Sequence, residues 1–599
     1  MMGRSRTGRS ACSSRSPAAM LSAELRSALD DVSLDAPWSL IERFTTLRRE
    51  HPDDVRTAAK EIVARLRSHG VSVEVHEPEL YLSLPGEASV TIDGARVRAK
   101  PMAMSRAHPE GLTAPLVYVP SEYARNADEM FTRGVVMDEA LDLTGKIVVT
   151  EGFGMPGKVA HFETRGALGM IAVNPGHNPH WGICTTIWGT PDLRDLPRKP
   201  TIAVLAVNRA DGERLIAHAR ARGDATIHAQ LEEGWYASPI PVVTIPGTEE
   251  PERFVLLHGH YDSWDYGIGD NAVGDATMLE VARVLWQHRD RLKRSVRIAW
   301  WPGHSTGRYA GSTWYADQYA IDLHENCIAQ IDCDSPGCRW ATVYEDISWM
   351  PEAEGFAQNI IRAVTGQESR GERPHQAGDY SFNNIGITSY FMLLSTMPAE
   401  LRAEKGYYAV GGCGGNIAWH TEEDLIDIAD REILLKDMKI YLAATMAAAN
   451  ATIAPFDFAR TLAHFASTLE QYQTAAQGHF SFTPARDEIA ALLATWIEFR
   501  AHCDTLAGRP VSDTSVARAN HAIRRLARLL VPVDFTRGPK FFHDPAETIP
   551  SLPDLAVAQG IAAANEDERG FYRTHLLRGQ NRLIGALRES AATLRTAMA

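Results

Sequence analysis

The segment from Phe254 to Arg283 constrains this chain more than any other part of it. Phe254-Val-Leu-Leu-His258 is an apolar run that reads as a buried strand, Gly259-His260-Tyr261-Asp262-Ser263 follows as a loop, and a turn-rich stretch reaches Gly269-Asp270-Asn271-Ala272 before a helix opens near Asp275. A loop between a buried strand and a helix is where an α/β sheet presents metal ligands or catalytic groups. In a His-x-Asp pair the carboxylate can hold the imidazole in one tautomer while the other ring nitrogen binds metal.

At 599 residues the chain exceeds what one hydrophobic core supports, so several domains are expected. A formal charge of -14 argues against nucleic acid as a partner, because phosphate neutralisation needs clustered Lys and Arg. There is no apolar run long enough to span a membrane. Residues 1–20 are basic and Ser-rich without an apolar h-region, which suits a disordered tail or a start upstream of the true one at Met20. Seven scattered cysteines suit reduced thiols and a cytoplasmic location.

Residues 21–112 begin with helical periodicity (Leu40, Ile41, Phe44, Leu47, then Ala58, Ile62, Val63, Leu66), stopped at Gly70. Alternation from Val71 to Leu84 then predicts the first strands of a sheet completed much later. Residues 113–235 contain short βαβ-like pieces: Leu143-Thr-Gly-Lys-Ile-Val-Val-Thr150, a helix around Lys158 to Gly166, Ala167-Leu-Gly-Met-Ile-Ala-Val-Asn174 and Pro200-Thr-Ile-Ala-Val204. Their order resembles the protease-associated domain inserted into many peptidases, which implies a lid without chemistry of its own. His177, His180 and Trp181 are the residues there that could reach a substrate.

Residues 236–450 alternate strand (254–258, 295–301, 327–333, 387–394) with helix (273–288, 311–320, 352–365, 428–449), the pattern of a mostly parallel sheet with helices on both faces. Residues 451–599 keep helical periodicity apart from the Pro-rich stretch Val531 to Pro553, which reads as extended. Such a helical domain with apolar stripes suits a homodimer contact.

Loops after successive strands carry His260, Asp262 and Asp270, then Asp334, then His420 within Ala418-Trp-His-Thr-Glu-Glu-Asp424. Singly each is weak, but together at the strand ends of one sheet they are specific. "GHYDSW" with Asp270, "DCDS" and "WHTEEDLID" resemble the motifs of the co-catalytic zinc aminopeptidases, in the branch with glutamate carboxypeptidase and the transferrin receptor. The resemblance spans nearly the whole chain after Met20. It implies that His260 and Asp334 bind one metal, His420 the second, Asp270 bridges them and Asp262 orients His260. Two divalent ions, zinc first, would then polarise an amide carbonyl in peptide hydrolysis.

One loop departs from that pattern. After Val296-Arg-Ile-Ala-Trp-Trp301 the family has two adjacent glutamates, general base and metal ligand; here His304 stands at the base position and Ser305 at the ligand position. A neutral hydroxyl is a poor zinc ligand, so one ion or two are both open. His304 could join His420 and Asp270 as a two-His-one-carboxylate set, which also suits iron or manganese. It could instead act as general base, since imidazole titrates near neutrality. A third course is a decayed site that leaves a binding or scaffold protein.

Asp379 and Tyr380 precede the strand from Ile387, where the family lines its substrate, and Tyr408 lies on the Gly-rich loop before His420; all three are candidate substrate contacts. Asp275 reads as a helix cap and Cys413 as a buried thiol. The expectation is a metal-dependent hydrolase of an amide bond in a small peptide or N-acyl amino acid, with His304 as substitute base. A mononuclear-metal enzyme of another reaction class on a small molecule is the alternative.

Overall fold

The computed structural model describes residues 21–126, 129–130 and 142–599; the expectation for residues 1–20 lies outside them. Its centre is a six-stranded sheet in the order Glu74–His76, Ile240–Ile245, Arg294–Trp301, Glu250–His260, Cys327–Asp332 and Ser389–Tyr390. The last four run parallel and the first two are antiparallel additions at one edge. Thus the alternation seen after Val71 does supply an edge strand that waits for a partner more than 160 positions later.

The period-two alternation of the central strands shows why helices cover both faces. Val255, Leu257, Val296, Ile298 and Trp300 point into one core, under the helices Val273–Gln287 and Arg431–Asn450. Phe254, Leu256, Ala299 and Trp301 point into the other, under Ala310–Gln318 and Ala320–Asn326. Strands buried on both sides read as continuous apolar runs, as Phe254 to Leu257 does.

The inserted unit is a closed seven-stranded barrel. Its strands Glu79–Ile92, Ala95–Pro101 and His108–Tyr118 come from before residue 119, and the other four lie between Ile147 and Ala237. The barrel therefore draws on both sides of the boundary expected at residue 112. The long pairing of Glu79–Ile92 with Asp224–Ala237 closes the insertion at its base, where the chain enters and leaves the sheet domain.

Four long helices, Phe458–Ala475, Thr483–Asp504, Thr514–Phe535 and Glu566–Met598, form the C-terminal segment. Their apolar faces belong to the same continuous core as the sheet. Arg528, buried between them, donates to the carbonyls of Leu323, His324, Cys327 and Gly386 and so ties the segment to the sheet domain. Helix Thr514–Phe535 runs through Pro532, so the extended stretch expected from Val531 begins only at Thr536. A proline in the last turn removes one ladder bond without ending the packing of Val531, Val533 and Phe535.

Candidate metal centre

The parallel strands end side by side, and the loops that follow them converge. Asp270 lies at the centre: its Oδ1 is 3.0 Å from His260 Nε2 and its Oδ2 is 3.0 Å from His420 Nε2. Asp334 Oδ2 is 3.7 Å from the same His260 nitrogen. All four residues come from loops separated by up to 160 positions, and His260, Asp270 and Asp334 are buried.

The tautomers can be read from their partners. His260 Nδ1 donates to the carbonyl oxygen of Asp262 (2.9 Å) and His420 Nδ1 to that of Trp181 (3.0 Å). A carbonyl accepts and cannot donate, so both Nδ1 atoms carry hydrogen and both Nε2 atoms are free to turn a lone pair toward Asp270. His260 Nε2 and Asp270 Oδ1 are buried atoms whose mutual geometry makes no hydrogen bond. Without a cation the arrangement would push positive charge onto the ring itself. Burial works against the imidazolium of His260, but Asp270 and Asp334 outweigh it and hold the group well above its ordinary range. Converging imidazole and carboxylate donors of this kind fit a divalent cation such as zinc.

His304 enters the same space. Its ring stacks on that of His260, with centroids 3.7 Å apart and planes 16° apart. Donor atoms of His260, His304 and Asp334 all lie within 4.8 Å of one another, so the structure groups His304 with His260 and Asp334 and not with His420 and Asp270. The reason is the short helix His304–Gly307, which directs the ring over His260. His304 Nδ1 is engaged by Asp379 Oδ2 at 2.8 Å, which leaves Nε2 as the free nitrogen.

Asp262 acts on two neighbours at once. Its carbonyl orients His260, while its carboxylate accepts the backbone N–H groups of His304 (3.1 Å) and Ser305 (2.9 Å) at the start of that helix. The Nδ1 to carboxylate distance is 3.9 Å, too long for a hydrogen bond. Ser305 is buried beside it.

The three candidate substrate contacts each engage other parts of the protein. Asp379 is buried and directed at His304 and at Ser312 Oγ (2.6 Å). Tyr380 is 1 % exposed and packs with Trp188, Tyr309 and Met392, because its apolar ring fills the core under the loop. The Tyr408 hydroxyl is paired with His180 Nε2 at 2.8 Å. His180 is itself buried, and His177 pairs with Glu423 at the surface. Asp275 is fully buried with neither carboxyl oxygen hydrogen-bonded, so burial holds it well above the usual carboxylate range.

Several supporting residues escaped the sequence reading. Asn271 joins three loops by donating to the carbonyls of His260 and Cys333 and accepting from the Ser335 N–H. Asp424 accepts the backbone N–H groups of Gly269 and Asp270. Arg49, fully buried, donates to the carbonyls of Tyr261, Tyr266 and Gly267 and so shapes the loop between His260 and Asp270. Asp424 stands in a motif already singled out; Arg49 gave no local signal beyond its place next to an apolar helix.

Two family models match parts of this chain. Residues 242–445 match peptidase family M28 and residues 112–215 match the PA domain. The chain is 25% identical over 395 residues to the probable glutamate carboxypeptidase VP8 of Zea mays, covering 55% of this chain and 53% of that protein. It is 29% identical over 245 residues to carboxypeptidase Q of Bos taurus, covering 37% of this chain and 47% of the relative. It thus spans about half the length of these curated relatives. Among solved structures, an aminopeptidase from Aneurinibacillus sp. strain AM-1 superposes with a TM-score of 0.51 at 19% identity, covering 71% of this chain and 96% of that one. A peptidase M28 precursor from Shewanella amazonensis SB2B gives 0.53 at 17% identity, covering 72% and 96%. The chain therefore carries an M28 peptidase domain with a PA domain inserted and a helical segment following, and in these parts it resembles the co-catalytic zinc peptidases.

Proposed function

We propose that this protein is a metal-dependent hydrolase that cleaves an amide bond in a small peptide or N-acyl amino acid. The observation that carries the reading is Asp270 held between two histidines, each with its Nδ1–H turned away to a carbonyl and its Nε2 turned inward. His260, Asp270, Asp334 and His420 would hold the metal, which when bound polarises a carbonyl and acidifies water. In this reading His304 Nε2 would take the proton of the attacking water, and the same atom would return it to the departing amine. Asp379 keeps the other ring nitrogen protonated throughout.

A second reading, a one-metal enzyme of another reaction class, is favoured by the closeness of His260, His304 and Asp334 donors. Loss of the carboxylate at Ser305 supports it, because the side of the centre near His420 is left with Asp270 as its shared acid. No helix among the described residues is long and apolar enough to cross a membrane. A cytoplasmic homodimer paired through the helical segment belongs to the same proposal; the unpaired cysteines and the exposed Phe571 and Leu577 support it.

Metal analysis of purified protein, with turnover of dipeptides and N-acyl amino acids before and after chelation, tests the reading. Metal-dependent hydrolysis with zinc bound upholds it. One iron or manganese per chain with no hydrolysis favours the second reading, and no bound metal with His260→Ala indistinguishable from wild type defeats both.

A further inference from the structure

A single buried chain of hydrogen bonds runs from the inserted domain to His304. Trp188 Nε1 donates to Ser381 Oγ at 2.9 Å, Ser381 Oγ and Ser312 Oγ are 2.8 Å apart, Ser312 Oγ donates to Asp379 Oδ1 at 2.6 Å, and Asp379 Oδ2 receives His304 Nδ1–H at 2.8 Å. Trp188, Ser312, Asp379 and Ser381 are each no more than 2 % exposed.

The direction of the chain follows from what each group can give. An indole N–H donates and does not accept, a hydroxyl has one hydrogen, and a carboxylate accepts. The Ser312 hydrogen goes to the Asp379 carboxylate at 2.6 Å in preference to the neutral Tyr309 carbonyl at 3.2 Å, so Ser312 must accept from Ser381. Ser381, its own hydrogen spent, accepts from Trp188 and from Thr313 Oγ1 at 3.3 Å. Every link therefore donates toward Asp379, and bonds aligned in this way polarise one another in a buried setting. The Asp379 N–H is fixed as well, on Asp332 Oδ2 at 3.3 Å.

A packing contact follows the same path. The Trp188 ring lies 4.5 Å from that of Tyr309, which meets the His304 ring edge-on at 4.8 Å. Seven residues earlier in the inserted domain, Trp181 supplies the carbonyl that fixes His420. One inserted loop thus reaches the histidines on both sides of the centre.

We propose that Asp379 is the positioning residue for His304, and that Trp188 of the inserted domain sets Asp379 through Ser381 and Ser312. The catalytic consequence rests on His304 acting as base; the positioning itself does not. The inserted domain is then a working part of the site and not a lid alone.

The test uses full-length protein and two readouts. The first is the downfield proton NMR signal of His304 Nδ1–H, assigned by its loss in His304→Gln; the second is kcat and KM on the best amide substrate. Trp188→Phe keeps an aromatic ring, though a smaller one, and removes the donor, and Ser312→Ala cuts the chain one link from Asp379. Each is expected to move the signal upfield and lower kcat about 10-fold with KM unchanged, the scale seen when an outer hydrogen-bond partner is lost. Asp379→Asn should abolish the signal and lower kcat about a thousandfold, with partial return in Asp379→Glu. Indifference of the signal to Trp188→Phe and to Ser312→Ala, in variants that melt like wild type, overturns the proposal. A signal that responds as stated in a protein without amide hydrolysis upholds the positioning and removes the hydrolase reading instead.

Discussion

His304 lies flat on His260, ring centroids 3.7 Å apart, with the two outer nitrogens tied in different directions: His260 Nδ1 to the Asp262 carbonyl and His304 Nδ1 to Asp379. Stacked in this way, the two rings bring ligand atoms within 4.8 Å of each other and of Asp334, close enough to share one cation. The contact places a residue at the usual glutamate position where it can serve as base, as ligand, or as one in place of the other.

Substitution at His304 separates these roles. His304→Ala is expected to lower kcat by about 10²–10⁴, and calorimetric metal titration then decides: unchanged affinity assigns the base, a fall of about tenfold or more assigns the ligand. The double variant His304→Glu/Ser305→Glu supplies the two carboxylates that the family pattern has there. It should raise bound zinc toward two per chain and widen activity on dipeptides. Unaltered metal content and substrate range would show that this pair does not set the chemistry.

Asp262 caps the helix that carries His304 and Ser305. Asp262→Ala removes the acceptor for two N–H groups and should cost about 1–2 kcal/mol in thermal stability. Activity should fall further than stability does, since both side chains lose their direction. Asp262→Asn, which keeps one acceptor, is expected between the two, and equal activity in all three proteins would remove this role.

Arg49 is expected to matter through its fork of donors. Arg49→Met leaves three buried carbonyls without their partner and should destabilise by about 3 kcal/mol or more. Arg49→Lys should recover little, because an ammonium cannot reach three carbonyls in the guanidinium geometry. Melting curves and metal affinity measured together check this; a lysine variant equal to wild type would refute it.

Asp437 gives a pH dependence with a definite sign. Buried among the Gly337 N–H and the hydroxyls of Tyr344 and Ser395, it is pushed up by burial from 3.8 to about 6. Between those values the folded protein keeps a proton that the unfolded chain has released. This contribution to stability is therefore complete below pH ~4, declines as pH rises through 6, and is level above it, a change of roughly 3 kcal/mol. Asp437→Asn removes the titration, so its melting temperature relative to wild type should rise from pH 4 to pH 7. A constant difference across that range would contradict the assignment.

Much of the site could be read locally, because His260 and Asp334 lie at or just past the ends of apolar strands, Asp270 lies on the loop after His260, and His420 stands in a distinctive Trp-His-Thr-Glu-Glu-Asp run. Their supports could not. Arg49 and Tyr261 are 212 positions apart, and nothing near Arg49 marks the carbonyls it will meet. Asp379 and Tyr380 looked like a substrate wall because they precede a strand in the expected place. Folding turned one toward His304 and the other into the core, a choice made by Ser312 and Trp188 from distant segments.

The sequence by itself determined the layered fold, the four loops and the adjacent His304 and Ser305, since strand periodicity, turn residues and ligand types are written locally. Tertiary structure decided which nitrogen of each histidine faces the centre, what Asp262 and Asp379 hold, and that the inserted domain reaches both flanking histidines. Those outcomes depend on hydrogen-bond partners that lie from two positions away, as for His260, to more than two hundred, as for His420, and a partner's direction is fixed only when the chain has closed around it.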